Sequence, residues 1–214
     1  MIVEQRIRDY LHSLEPDQGD LLEEISRKAI RDEVPIIKKE TVALLKTMVA
    51  AKRPRAILEV GTAVGYSALL MAGVMPAECT ITTIEKYEPR IPVAKANFKR
   101  AGEESRITLL EGDAEEILKE LEGSYDFIFM DAAKGQYINF LPELLRLMPA
   151  GGLLISDNVL QEGDIVESRY GVTRRNRTIH TRMREYIYTL THAEQLETSI
   201  VPIGDGITLS VKKG

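Results

Sequence analysis

From Arg55 to Asp157 the chain alternates short apolar runs with longer amphipathic stretches, and this alternation constrains the fold more than any other feature. The runs RAILEVG (55–61), CTITTIE (79–85), RITLLEGD (106–113), YDFIFMD (125–131) and GGLLISD (151–157) have the length and apolar character of buried strands. Helical stretches at about 64–75, 88–101, 114–121 and 136–147 separate them. Strands and helices in this rhythm predict βαβ units and a parallel sheet. A long helix is expected over about 172–191, followed by two strands around Gly204-Asp205-Gly206, the turn signal of a hairpin. Before Arg55 the pattern is helical throughout. One helix carries Ile2, Ile7, Leu11 and Leu14, a second runs from the N-cap candidate Asp17 to Arg31, and a third follows Pro35 with Val42, Leu44, Leu45, Met48 and Val49. The expected fold is α/β: a doubly wound, mostly parallel sheet of seven strands, an antiparallel C-terminal hairpin and an N-terminal helical cap.

Nothing in the 214 residues reads as a linker, repeat or low-complexity tract, so one domain is expected, with residues 1–52 as the cap and 53–214 as the core. Cys79 is the only cysteine, which excludes a disulfide framework and suggests a reduced setting; inert packing is its expected role. No apolar run approaches membrane-spanning length and the N-terminus carries no signal-peptide core, so a soluble, cytoplasmic protein without a membrane partner is expected. The net charge of −5 hides an asymmetry: six arginines (169, 174, 175, 177, 182, 184) fall in one stretch that contains no acid.

Ligands of open α/β sheets bind outside the carboxyl ends of the strands. Two apolar runs end there in oxygen ligands: YDFIFMD at Asp131, and GGLLISD at Asp157 with Asn158 next. Two carboxylates and an amide form an oxygen-only set suited to Mg²⁺, Mn²⁺ or Ca²⁺. Lys134, three residues after Asp131, is placed to take a proton from whatever such an ion holds. The stretch from Glu59 through Gly61 and Gly65 to Ser67 makes a tight strand-to-helix turn, but its spacing is not that of a dinucleotide site, and Glu59 would repel phosphate. Glu59 suits an ammonium, Glu85 the hydroxyls of a ribose, and Asp113 an adenine amino group. In that order along one edge they describe S-adenosylmethionine better than NAD. Each has a blander reading: a structural glycine turn, a solvated strand end at Glu85, an N-cap at Asp113, a capping pair at Asp157-Asn158, a solvated lysine at Lys134. Their coincidence at successive strand ends favours the site.

At LEVGTAVGYSAL (58–69), TTIEK (82–86), EGDA (111–114), FMDAAKGQY (129–137) and SDNVL (156–160) the chain resembles the metal-dependent class I O-methyltransferases, which include catechol and caffeoyl-CoA methyltransferases and share a Rossmann-like core. Within that group DAAKGQY, DNVL with Gly163, and PIGDG look most like the bacterial tRNA 5-hydroxyuridine methyltransferases, which form 5-methoxyuridine at the wobble position. The resemblance implies Asp131, Asp157 and Asn158 as metal ligands and Lys134 as base. It assigns Ile37, Glu59, Gly61, Ser67, Glu85 and Ala114 to the donor, with Asp131 serving donor and catalysis as well. Where the family has a Tyr-like position four residues after the first motif acid, this chain has Ala63, so any contact there is backbone. Homodimers are common in the family, and the apolar N-terminal helices are the expected interface.

The arginine stretch bears on the substrate. On a helix, Arg174, Arg177 and Arg184 share a face flanked by Arg175 and Arg182, opposite Ile179, Met183, Ile187 and Leu190. Arg174, Arg175 and Arg177 would then meet the phosphates of a tRNA anticodon loop, with Tyr137 or Tyr170 stacking on the flipped base. The alternatives are a catechol-like or caffeoyl-CoA-like small molecule, a non-catalytic RNA-binding module and, more remotely, an NAD-dependent oxidoreductase. His12, His180 and His192 read as surface or packing residues.

Overall fold

The computed structural model describes residues 3–214, so Ile2, expected on the first helix, lies outside the described residues. Three helices come first: α1 (Gln5–Leu14), α2 (Asp20–Arg31) and α3 (Lys39–Lys52). Strands β1 (Ala56–Val60), β2 (Thr80–Glu85), β3 (Ile107–Glu111), β4 (Phe127–Met130) and β5 (Leu153–Ser156) then alternate with α4 (Tyr66–Ala72), α5 (Ile91–Ala101), α6 (Ala114–Glu120) and α7 (Tyr137–Leu147). Helix α8 (Arg177–His192) precedes β6 (Leu196–Val201) and β7 (Ile207–Lys212). The sheet order is β3-β2-β1-β4-β5-β7-β6, with β1 to β5 parallel and β7 antiparallel to both of its neighbours.

Both faces of this sheet are covered because its central strands are buried and mainly apolar, so the period-two alternation sends side chains into two cores. Phe127 and Phe129 of β4 join Ile57, Ile81 and Ile155 under α2 to α5, while Ile128 and Met130 join Leu58, Ile84 and Leu154 under α6 to α8. Burial of these runs drives the fold, at roughly 25 cal/mol per Å² of apolar surface.

Two expectations about the helices are corrected. Asp17 does not cap α2: its carboxylate accepts from the Gly19 N–H (2.6 Å), making an Asx turn, and the helix begins at Asp20. The long C-terminal helix is shorter than its pattern, because Arg174–Asn176 form a separate 3₁₀ turn before Arg177. Cys79 is buried, and burial pushes its thiol up to about 11, which fits an inert packing role. Helix α1 buries no residue fully and exposes Ile7, Tyr10, Leu11 and Leu14. No described helix is long and apolar enough to cross a membrane.

Candidate active site

The strand order reverses between β1 and β4, and there the sheet opens a crevice at its carboxyl edge. Register sets the level of every residue along that edge. Ile84, Val60, Met130 and Ser156 pair across β2, β1, β4 and β5, so the residues that follow, Glu85, Gly61, Asp131 and Asp157, form one row. The ladder continues through it: the Gly61 N–H donates to Ile84 O, the Asp131 N–H to Val60 O and the Asp157 N–H to Met130 O, each at 3.0–3.1 Å.

On the β1–β2 side Glu59 is fully buried. Its two carboxylate oxygens accept from the hydroxyls of Ser67 and Thr83, and Thr83 is in turn paired with Thr62 (2.6 Å). Burial pushes the Glu59 carboxyl up to about 7 in spite of these hydrogen bonds. Glu59 is thus enclosed rather than open to an ammonium, with both of its oxygens taken up by Ser67 and Thr83. Thr83 carried no sequence signal beyond its place in an apolar run. Glu85, also buried, is aimed by two backbone donors, Ala63 N–H and Tyr87 N–H, both at 2.7 Å. Each oxygen keeps acceptor capacity for a hydroxyl. Asp113 caps α6 by accepting from the Glu115 N–H (2.9 Å) and pairs with Lys86. The Lys86 bond and the backbone bond hold its carboxyl below the usual range, so capping accounts for its oxygens without an adenine. Ala114 opens α6 beside it, and Ile37 is buried in the segment between α2 and α3.

On the β4–β5 side the three predicted oxygen ligands do converge. Asn158 donates from its amide nitrogen to Asp131 Oδ1 (2.8 Å) and from its backbone N–H to Asp157 Oδ1 (2.7 Å). Asn158 sits at φ 63, a conformation that asparagine tolerates better than most residues and that turns its side chain back toward Asp131. Burial raises the Asp131 carboxyl, and burial together with the Asp131 charge raises Asp157 to about 7; Asp205 adds to the field at both. The Lys134 charge opposes these shifts from a 3₁₀ turn at Lys134–Gln136. Two carboxyls whose ionisation burial and mutual repulsion oppose, with no paired basic side chain among the described residues, are a pair that a divalent cation would relieve. No group of three His, Cys, Asp or Glu that could hold a metal ion exists among the described residues; the further side-chain oxygen at this edge is that of Asn158. Its amide turned by 180° would set Oδ1 against Asp131, an arrangement that a cation between them would relieve.

Tyr137 does not stack on a substrate. It is fully buried, its hydroxyl donates to Asp157 O (3.1 Å), and its ring meets Tyr186 edge-on at 5.5 Å. Tyr186, which sequence reasoning missed, pairs with Ser156 (2.6 Å) behind the acid row. Together they brace the backbone that carries Asp157. Tyr170, by contrast, is 81% exposed, and the Arg177 guanidinium lies 5.5 Å from its ring centre. The expected arginine face is divided. Arg174 and Arg175 are exposed on the 3₁₀ turn, whereas Arg182 donates to Gly135 O (3.0 Å) and Arg184 to Ile165 O (3.0 Å), tying loops to α8. His180 is a buried packing residue beside Glu167 O (3.2 Å).

A single reversed strand, β7, in an otherwise parallel seven-stranded sheet, with the crevice between β1 and β4, defines a Rossmann-like S-adenosylmethionine-dependent methyltransferase. The chain belongs to the O-methyltransferase family, whose model matches residues 12–213. It is 32% identical to the caffeoyl-CoA O-methyltransferase of Stellaria longipes over 174 residues, 77% of this chain and 71% of that one. Its structure matches that of a provisionally named caffeoyl-CoA O-methyltransferase from Staphylococcus aureus with a TM-score of 0.90 at 32% identity, over 97% of this chain and all of that one. An SAH-bound methyltransferase from Podospora anserina matches with a TM-score of 0.86 at 26% identity, over 98% and 94% of the two chains.

Proposed function

We propose that this enzyme methylates one of two adjacent oxygens on a catechol-bearing small molecule, of the caffeoyl-CoA kind for which its curated relatives are named. The observation that carries the reading is the pair of buried Asp157 and partly buried Asp131 with Asn158 bonded to both. Mg²⁺, Mn²⁺ or Ca²⁺ held by these three would supply a charge that gathers two neighbouring substrate oxygens and acidifies the attacking one. S-adenosylmethionine, when bound, supplies the electrophilic methyl.

The chain's own residues position and deprotonate. Glu85 accepts from the ribose hydroxyls, Gly61 lets the backbone approach, Ser67 faces the amino acid end under the charge of Glu59, and Ala114 borders the adenine. Ile37 covers the donor. Asp131 stands where donor and substrate meet, and Lys134 takes the hydroxyl proton at Nζ. Orientation of this sort supplies roughly 7–11 kcal/mol of a two-substrate barrier.

A second reading keeps the chemistry and changes the substrate to 5-hydroxyuridine at the wobble position of a tRNA, whose O5 and O4 are also adjacent. The exposure of Tyr170, Arg174 and Arg175 supports it, since they offer a stacking ring and phosphate contacts. The exposed apolar side chains of α1 support a homodimer.

One assay separates the substrates: the purified protein with donor and Mg²⁺ is offered caffeoyl-CoA, catechol and tRNA bearing 5-hydroxyuridine, and products are read by mass spectrometry. Methylated catechol or caffeoyl product, abolished by EDTA, is expected. Product from tRNA alone, declining steeply with salt, would replace the first reading with the second.

A further inference from the structure

Lys38 has a part in neither the acid row nor the donor edge, yet it joins segments 167 residues apart. Its ammonium lies 2.6 Å from Asp205 Oδ1 and 3.7 Å from Glu162 Oε1. Lys38 immediately follows Ile37 in the irregular segment between α2 and α3. Asp205 is buried in the β6–β7 turn, and Glu162 lies four residues past Asn158.

The turn that holds Asp205 is wedged in place on both sides. The Leu160 N–H donates to Asp205 O (2.8 Å) and the Val159 N–H to Gly206 O (3.0 Å), fixing the turn to the segment after Asn158. A β-carbon at Gly206 would stand 2.2 Å from Leu160 Cγ, and one at Gly204 would stand 2.8 Å from the buried hydroxyl of Thr41 in the first turn of α3. A movement of this turn therefore moves both the acid side and the N-terminal segment. A cavity of about 240 Å³, lined by Lys38, Glu40, Glu162 and Asp205 among others, opens where the three segments meet.

A buried carboxylate needs a partner, and Asp205 already shares its neighbourhood with Asp131 and Asp157. Lys38 is the cation that meets it. We propose that Lys38 is a positioning residue: its ion pair with Asp205 clasps the segment carrying Ile37 to the β6–β7 turn, and so holds the donor side and the acid side of the site in one arrangement. The inference rests on the donor position given above and is independent of which substrate is methylated. Without the clasp, the covering segment loses its anchor and the donor is held less firmly.

The test uses the full chain as wild type, Lys38→Met, Lys38→Arg, Asp205→Asn and the Lys38→Met/Asp205→Asn double variant. Calorimetry measures affinity for S-adenosylhomocysteine, and hydrogen exchange reports on residues 34–41 and 203–206. Loss of either partner should weaken binding about tenfold, a step typical of one disrupted, partly exposed charge pair. Exchange should rise in both segments together, Lys38→Arg should retain both properties, and in turnover the loss should fall on the donor's KM rather than on kcat. The double variant should be no worse than either single one, because the two residues act as a unit. Wild-type affinity and exchange in Lys38→Met would overturn the proposal, and so would losses that multiply in the double variant. If wild type itself fails to bind S-adenosylhomocysteine, the donor reading fails, while the paired change in exchange still decides the clasp.

Discussion

Gly61 and Asp131 approach so closely that a β-carbon on Gly61 would stand 2.1 Å from the Asp131 carbonyl oxygen. The loop after β1 and the end of β4 are thus in backbone contact, and only glycine permits it, since Gly61 also holds φ at +109. Gly61→Ala should lower unfolding stability by about 3 kcal/mol or more, from backbone strain and a clash with main-chain atoms that have nowhere to go. Urea denaturation measures it; a loss under about 1 kcal/mol would mean the two strands part easily.

Glu59 gives a pH signature. Its folded-state value, about 7, lies above the ordinary 4.5, so the unfolded chain releases this proton first. Its contribution to stability is therefore present below about pH 4.5 and is lost as pH rises through about 7, on the order of 3 kcal/mol across the window. Glu59→Gln removes that component. The difference in stability between variant and wild type should shift in the variant's favour from pH 5 to pH 8, and a difference independent of pH would show Glu59 to be ionised throughout.

Cation binding should register as stability. Adding millimolar Mg²⁺ to wild type is expected to raise Tm, by linkage to the folded state alone. Asp157→Asn should abolish that response and cut methyl transfer by ~100-fold or more, a loss of about 3 kcal/mol of transition-state stabilisation. An Asp157→Asn protein that still gains Tm with Mg²⁺ would place the ion elsewhere.

Asp113 separates capping from recognition. Asp113→Ala should cost about 1 kcal/mol of stability, the usual worth of an N-cap, and Asp113→Asn should retain most of it. Neither should change donor affinity more than about twofold if Lys86 and the Glu115 N–H account for its oxygens. A tenfold loss of affinity in Asp113→Asn at unchanged stability would return the residue to the adenine.

Most of the sheet was legible because parallel strands buried on two faces are mainly apolar, and few other elements produce runs such as FIFM ending in an acid. The acid row was legible for the same reason: a run that stops at Asp131 or Asp157 puts that acid at the carboxyl edge. Tyr137 was misjudged although Phe140, Leu141 and Leu144 repeat at helical spacing behind it, a sign that its ring belongs to the core. Arg174 and Arg175 were misplaced because a 3₁₀ turn shares the composition of the helix it precedes. Thr83 and the Lys38–Asp205 pair left no trace, since contacts between residues so distant in sequence follow from how strands and turns stack and not from any local pattern.

The level row of Glu85, Gly61, Asp131 and Asp157 divides what this protein can vary from what it cannot. A slip of one residue between β1 and β4 would carry every inward side chain to the opposite face, so reaction chemistry is locked into the ladder. Outside that row, the stretch from 160 to 177 is tied down by Arg184 on Ile165 O, by His180 at Glu167 O, by the Leu160 N–H on Asp205 O and by Ile165 packed in the core. Changes of target among such enzymes should therefore accumulate in this stretch, and transplanting it whole should redirect methylation while leaving the transfer step intact.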